Sequence, residues 1–327
     1  MKNSLVDGAA VERLLLFVGA LRSGLIDTLA TEEGLTAEEV AEKAGAHPRA
    51  TRVVLEALAV EGVVERLAER PDQSGEGVLY RLSSLGKAHF VDDGPDLERF
   101  GLMHQVNKLR GWLELPEVIR TGRPVPRDPA RRDIPTMVSA MGERDPAALD
   151  EIVERILAYA GPVRTMLDVG GAVGHVARHF SRCGVRATLF DRESVLPMAQ
   201  EFLGDEAGDI ALVGGDFTES LPAGPFDLVY LGNVSHIYGP ATNARVIQEA
   251  HSLISPGGAI AIQDHVWGRS PRAALFAVNM LQATEEGGVW AESQYRDWLG
   301  GAGFVNIEVV DLDATRAQLV LGRRRKI

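Results

Sequence analysis

The sequence predicts an α/β protein, a doubly wound and mostly parallel sheet preceded by a helical domain of winged-helix type. From Thr165 onward, short apolar strands alternate with helical segments, the texture of a parallel sheet covered by crossover helices. Residues 9–93 run helix, turn, helix, hairpin, the order of a winged helix. The chain has 327 residues, 45% apolar and 24% charged, enough for separate domain cores and unlike a disordered chain. The expected division is 1–95 for the winged-helix domain, 96–160 for a helical linker that contributes to a pocket, and 161–327 for the sheet domain.

Leu14, Leu15, Val18, Leu21, Leu25 and Leu29 recur at helical spacing and predict one long first helix with a continuous apolar face. Thr36, with Glu39 three residues on, is a capping box that starts the next helix, which ends near Gly45. Pro48 opens another through Leu55, Leu58 and Val60. Val63–Leu67 and Val78–Leu82, around a Pro/Gly/Ser-rich turn at 71–77, make the hairpin. Residues 96–160 read as helices interrupted at Gly122–Pro129, where three prolines forbid regular structure. The sheet strands are read at Met166–Val169, Ala187–Phe190, Ile210–Val213, Phe226–Leu231 and Ala259–Ile262. Val305–Val310 and Gln318–Leu321 are joined too briefly for a crossover and must pair antiparallel.

Composition narrows the function classes. Lys+Arg is 34 against 46 Asp+Glu, a net charge of −12 that suits neither a nucleic-acid nor an anionic-membrane surface. A single cysteine, Cys183, excludes an intrachain disulfide and a cysteine-cage zinc site. The apolar run near the N-terminus is interrupted by Glu12, Arg13 and Arg22, which argues against a membrane span or a signal peptide and for a cytoplasmic protein.

The first chemical signal is Asp168-Val169-Gly170-Gly171-Ala172-Val173-Gly174, joining a strand to a helix. Glycines there admit a ligand close to the backbone, and the helix N-terminus offers free N–H groups to an anion. Ala172 breaks the G-x-G-x-x-G spacing, which disfavours a dinucleotide oxidoreductase. The next strand delivers Asp191 at its carboxyl end, placed to accept ribose hydroxyls. The third leads to Gly215-Asp216-Phe217, a carboxylate and a ring suited to an adenine, and the fourth to Gly232-Asn233-Val234-Ser235-His236. Loops at the carboxyl ends of adjacent strands converge on one crevice in such sheets.

Together these residues resemble the S-adenosylmethionine-dependent small-molecule O-methyltransferases that carry an N-terminal winged-helix dimerisation domain. Plant caffeic-acid-type and bacterial antibiotic-pathway enzymes belong to that family. The resemblance extends through Gly111-Trp112 to Trp298-Leu299-Gly300-Gly301-Ala302-Gly303-Phe304. It implies a Rossmann-like methyltransferase sheet and S-adenosylmethionine as cofactor, bound by Asp168, Gly170, Gly171, Asp191, Asp216, Phe217, Gly232 and Asn233. It implies His236 as general base, with Asp264, where the family has a glutamate, as its orienting acid. Two departures stand out: Ile237-Tyr238 replaces Asp-Trp after the histidine, and Val289 falls where the family has a second glutamate. The expected partners are a small aromatic or polyketide-like acceptor and a second copy of the chain. Transfer to carbon or nitrogen, or non-methylating chemistry, remains open beside transfer to oxygen.

The acceptor pocket is assigned to Met103, His104, Trp112, Met141 and Asn279, with ordinary core packing the alternative for the methionines. His175 and His179 stand four apart on a helix but lack a local acidic third ligand, so no metal is assigned. Arg323-Arg324-Arg325-Lys326 reads as a solvated run. The rival reading of the winged helix, a DNA-binding regulator, meets sixteen acidic against ten basic residues in 1–93.

Overall fold

The computed structural model describes residues 8–70, 77–91, 97–126, 133–142, 146–313, 315 and 317–326. The chain forms two compact units, Met1–Leu109 and Arg110–Ile327.

In the N-terminal unit, α1 (Gly8–Arg22) and α2 (Leu25–Thr31) replace the single long helix expected from the leucine spacing, with a bend of 61° between them. Gly24 is the cause: it adopts φ 73°, a left-handed conformation that only glycine enters cheaply, and the helix restarts beyond it. The apolar spacing survives the break, since Val18, Leu21, Leu25 and Leu29 are all buried. Strand β1 (Leu35–Thr36) leads into α3 (Ala37–Ala44), capped as expected by Thr36 and Glu39, with Gly45 as its left-handed terminus. Helix α4 (Pro48–Val60) precedes the hairpin of β2 (Val64–Arg70) and β3 (Gly77–Leu82), whose turn at 71–76 lies outside the described residues. The two-residue β1, missed in the sequence, pairs with β3 to complete a three-stranded sheet. Helix α5 (Ser84–Phe90) follows, and α6 (Arg99–Leu113) runs through the division between units.

The C-terminal unit opens with α7 (Leu115–Thr121), α8 (Ile134–Gly142) and α9 (Pro146–Ala160). Of the proline-rich interruption, residues 122–126 carry no helix or strand, and 127–129 lie outside the described residues. The alternation then proceeds through β4 (Thr165–Val169), α10 (His175–Arg182), β5 (Arg186–Asp191), α11 (Leu196–Leu203), β6 (Ile210–Gly214), β7 (Phe226–Gly232), α12 (Pro240–Leu253) and β8 (Ile254–Asp264). Strand β9 (Val266–Trp267), α13 (Pro271–Ala283), β10 (Trp290–Ala291), α14 (Glu292–Ala302), β11 (Val305–Asp311) and β12 (Gln318–Arg323) complete it.

The seven-stranded sheet has the order β11-β12-β8-β7-β4-β5-β6, with β12 antiparallel to both neighbours and the other pairings parallel. Strand order reverses beside β4, so a crevice opens at the carboxyl ends of β4, β5 and β7. Strict alternation feeds two cores. Leu228, Tyr230, Ala259 and Ala261 face one side with α9 and α10, while Val229, Leu231, Ile260 and Ile262 face the other with α12 and α14. Both faces are buried, as a parallel sheet requires.

Candidate active site

The crevice is built by backbone first. At the end of β4, Gly170 has φ 68° and donates its N–H to Phe190 O at 2.8 Å; a Cβ there would sit 2.6 Å from Val234. Asp168 is 2% exposed and accepts from Ala177 N at 3.2 Å, so its carboxylate supports α10 from behind the turn. Its strand position faces the buried helix, so the side chain turns inward beneath the glycine turn. Gly171 is required there, since a Cβ would lie 2.9 Å from the Asp168 carboxylate.

Asp191, half-buried at the end of β5, joins the two loops. Its Oδ2 accepts from Ala172 N at 2.8 Å and its Oδ1 from Arg192 N at 2.7 Å. Asp216 Oδ1 accepts from the Thr218 hydroxyl at 2.6 Å and Thr218 N at 2.8 Å. The hydroxyl bond, first of all, holds the Asp216 carboxyl below its ordinary pKa. Phe217 meets Tyr238 edge-on at 5.3 Å, and burial pushes the Tyr238 hydroxyl pKa up. Gly232 ends β7, and Asn233 takes φ 58° while its N–H donates to Gln263 O at 2.8 Å. Gly170, Gly171, Asp191, Asp216, Phe217, Gly232 and Asn233 are all partly exposed, as groups that meet a ligand must be.

Beyond β7 the chain makes a single turn at 235–237 that presents His236. Asp264, at the end of β8 and 0% exposed, holds it twice: His236 Nδ1 lies 2.9 Å from Oδ1, and His236 N donates to Oδ2 at 3.0 Å. His265 N also donates to Oδ1, at 2.8 Å. A carboxylate can only accept, so Nδ1 is the donor to Asp264 and Nε2 is the ring nitrogen turned away from that bond. Phe276 packs edge-on against the His236 ring at 4.7 Å. When neutral, a histidine so held can accept a proton at Nε2, with the charge lying beside a carboxylate.

Comparison with known proteins gives the family. An O-methyltransferase domain model matches residues 137–305, and an O-methyltransferase dimerisation domain model matches residues 6–92. The chain belongs to the O-methyltransferase family. It is similar to the tetracenomycin polyketide synthesis 8-O-methyl transferase TcmO of Streptomyces glaucescens, 27% identical over 91% of this chain and 89% of that one. Rat acetylserotonin O-methyltransferase is 28% identical over 94% of this chain and 73% of its own. The crystal structure of human N-acetylserotonin methyltransferase in complex with SAM shares the fold, with TM-score 0.80 at 21% identity, covering 99% of this chain and 100% of that one.

In this O-methyltransferase the expected pocket residues divide between the two units. Met103 and His104 lie on α6 in the N-terminal unit, where Met103 packs against that unit's own core, the ordinary role of a helical methionine. Trp112 and Asn279 are half-buried in the C-terminal unit. Asn279 Oδ1 accepts from Gln282 Nε2 at 2.9 Å. The Met141 side chain lies outside the described residues. The His175/His179 pair is engaged elsewhere: His175 packs on Phe202 at 4.2 Å, and His179 Nε2 lies 2.9 Å from Asp150 Oδ1.

Sequence reasoning missed several residues around the turn. Asn243 on α12 donates Nδ2 to Ser235 O and Tyr238 O, both at 2.9 Å. Phe276, Trp290 and Gly288 also reach it. None has a motif signature, because each acts from a distant segment. Glu285 and Glu286 are exposed.

Proposed function

We propose that the chain methylates a hydroxyl of a small aromatic or polyketide-like metabolite, using S-adenosylmethionine, with His236 as general base. The observation that carries this reading is the His236–Asp264 pair beside a glycine-lined crevice that ends in Asp191. The residues present fit the cofactor: a carboxylate at the end of β5, a second carboxylate and a ring after β6, and left-handed backbone where a ligand meets the chain. Bound S-adenosylmethionine supplies an electrophilic methyl group on a sulfonium.

Asp191 accepts from the ribose hydroxyls, and Asp216 and Phe217 hold the base. Gly170 and Gly171 let the amino-acid end lie against backbone. His236 Nε2 accepts the acceptor's hydroxyl proton as oxygen becomes the nucleophile, and Asp264 stabilises the resulting imidazolium without taking the proton. Alignment of the reacting atoms supplies much of the remaining acceleration. The relatives, a polyketide synthesis 8-O-methyl transferase and an acetylserotonin O-methyltransferase, support an aromatic acceptor. The dimerisation-domain match supports a homodimer. Among the described residues no single helix is long and apolar enough to cross a membrane.

The test has two parts. S-adenosylhomocysteine raises the melting temperature while NAD does not, and a panel of phenolic acceptors yields S-adenosylhomocysteine on turnover. His236→Gln keeps cofactor affinity and lowers turnover by about 10²-fold or more, the usual size of a general-base effect. Turnover within a few-fold of the wild type would remove His236 as base and leave methyl transfer standing.

A further inference from the structure

Trp290 touches the chain on either side of the His236–Asp264 pair. Its backbone lies in β10, which pairs in parallel with β9, so that Trp290 stands opposite Val266, two residues beyond Asp264. Its indole Nε1 donates to Ser235 O at 2.9 Å, one residue before His236. The ring is half-buried and fixed edge-on against Trp298 at 5.8 Å. One residue therefore cross-links the two loops that supply the pair.

Neighbours of Trp290 act on the same turn. Gly288 N donates to His236 O at 2.9 Å. A Cβ at Gly287 would sit 2.4 Å from His236 O and 2.8 Å from Ile237 O, so the segment lies directly on the turn's carbonyls. Asn243 Nδ2 shares Ser235 O from the opposite element. The 3-10 turn's own backbone bonds, Ile237 N to Val234 O at 3.1 Å and Tyr238 N to Ser235 O at 3.4 Å, do not reach the histidine ring. Its orientation has to come from outside.

We propose that Trp290 is a positioning residue for methyl transfer, holding His236 in register with Asp264 through its indole N–H on Ser235 O and its backbone pairing beside Val266. The proposal rests on His236 being the base, but its test does not depend on an acceptor. Asp264 from β8 and Phe276 from α13 meet the His236 ring, and the His265 ring packs on Phe276. Tyr295 on α14 is 0% exposed and senses the Asp264 charge. Glu285 and Glu286 lie exposed on the adjoining loop.

Diethylpyrocarbonate labelling of the full-length protein, read peptide by peptide in a mass spectrometer across pH, reports the reactivity of each histidine. In Trp290→Phe, labelling of His236 speeds up by about fivefold, the population change expected from losing one ordinary hydrogen bond. His47 and His89, in the N-terminal unit, serve as internal references and do not change. S-adenosylhomocysteine affinity by calorimetry stays within about twofold, while kcat with any phenol the wild type accepts drops by about tenfold, since misalignment weakens proton transfer without touching the cofactor loops. Should the phenylalanine variant fold poorly, replacing the Trp290 indole with benzothiophene keeps the shape and removes only the N–H. A folded variant with wild-type His236 labelling reactivity overturns the proposal. Failure of the wild type to bind S-adenosylhomocysteine would instead overturn the functional reading and leave the labelling result interpretable.

Discussion

At the residue scale, the site depends on two carboxylates with different surroundings. Asp191 is half-buried and accepts from two backbone N–H groups, so the carboxylate proposed to meet the ribose also organises the glycine turn. Asp191→Ala is expected to weaken S-adenosylhomocysteine by more than about tenfold, because charge-assisted hydrogen bonds contribute roughly 1.5–3 kcal/mol. Calorimetry giving unchanged affinity would show that the nucleoside lies elsewhere. Asp264 is wholly buried and satisfies the N–H groups of both His236 and His265. Asp264→Asn aims an amide N–H₂ at one of those donors, so turnover falls by about 10²-fold or more with lost control of the histidine. The melting temperature drops with it, because a buried donor left without an acceptor costs about 1–3 kcal/mol. His251 gives a pH test away from the site. Burial first, then Arg324, depress its pKa below the ordinary 6.5. The unfolded chain is free of that penalty, so it takes up the proton first as pH falls through 6.5, and stability declines until the folded state is protonated too. His251→Gln should flatten the fall in melting temperature over that window. An unchanged slope would mean that other groups carry it.

At the scale of elements, the legible features were those set by local chemistry. Thr36 and Glu39 announced a helix start and form a reciprocal cap, with Thr36 N donating to Glu39 at 2.8 Å. Thr36→Ala is expected to cost about 0.5–2 kcal/mol, read as a lower melting temperature of the N-terminal unit, with Thr36→Ser nearly neutral. Strand–helix alternation and the short final connection likewise specified the sheet and its one antiparallel strand, because burial on both faces leaves continuous apolar runs at each strand. The first helix was misread as continuous because leucine spacing reports a shared buried face, and α1 and α2 do share one across the Gly24 bend. The two-residue strands β9 and β10 were not legible at all. They exist through pairing between segments separated by α13, and nothing in Val266-Trp267 or Trp290-Ala291 marks a strand alone. The same cause hid the support of His236: its own address was readable at the end of β7, whereas Asn243, Gly288 and Trp290 meet it only in three dimensions.

At the scale of the molecule, the N-terminal unit carries a surface question that its own core does not answer. Its interior is complete, with Leu29, Val40, Leu55 and Leu58 all 0% exposed. Yet α1 leaves Val11 and Leu15 47% and 48% exposed, and α4 leaves Val53 at 64%. Single exposed apolar side chains are ordinary, but a run of them on adjacent helices marks an interface. Duplex DNA is a poor occupant, because acidic residues outnumber basic ones there and the nearby arginines are already paired, Arg52 with Glu38 and Arg13 with Glu61. A second copy fits better, since an isologous contact sets the same apolar stripe against itself and needs no charge complement. The match of residues 6–92 to a dimerisation domain supports the same occupant. Light scattering at micromolar concentration is therefore expected to give twice the 35.3 kDa chain mass. Leu15→Glu puts a charge into the stripe without disturbing the buried residues, so it shifts the mass toward the monomer while S-adenosylhomocysteine binding, a property of the C-terminal unit, persists. A wild-type mass of 35.3 kDa would assign the stripe to another partner. A Leu15→Glu protein that stays dimeric would move the interface to a different face of the same unit.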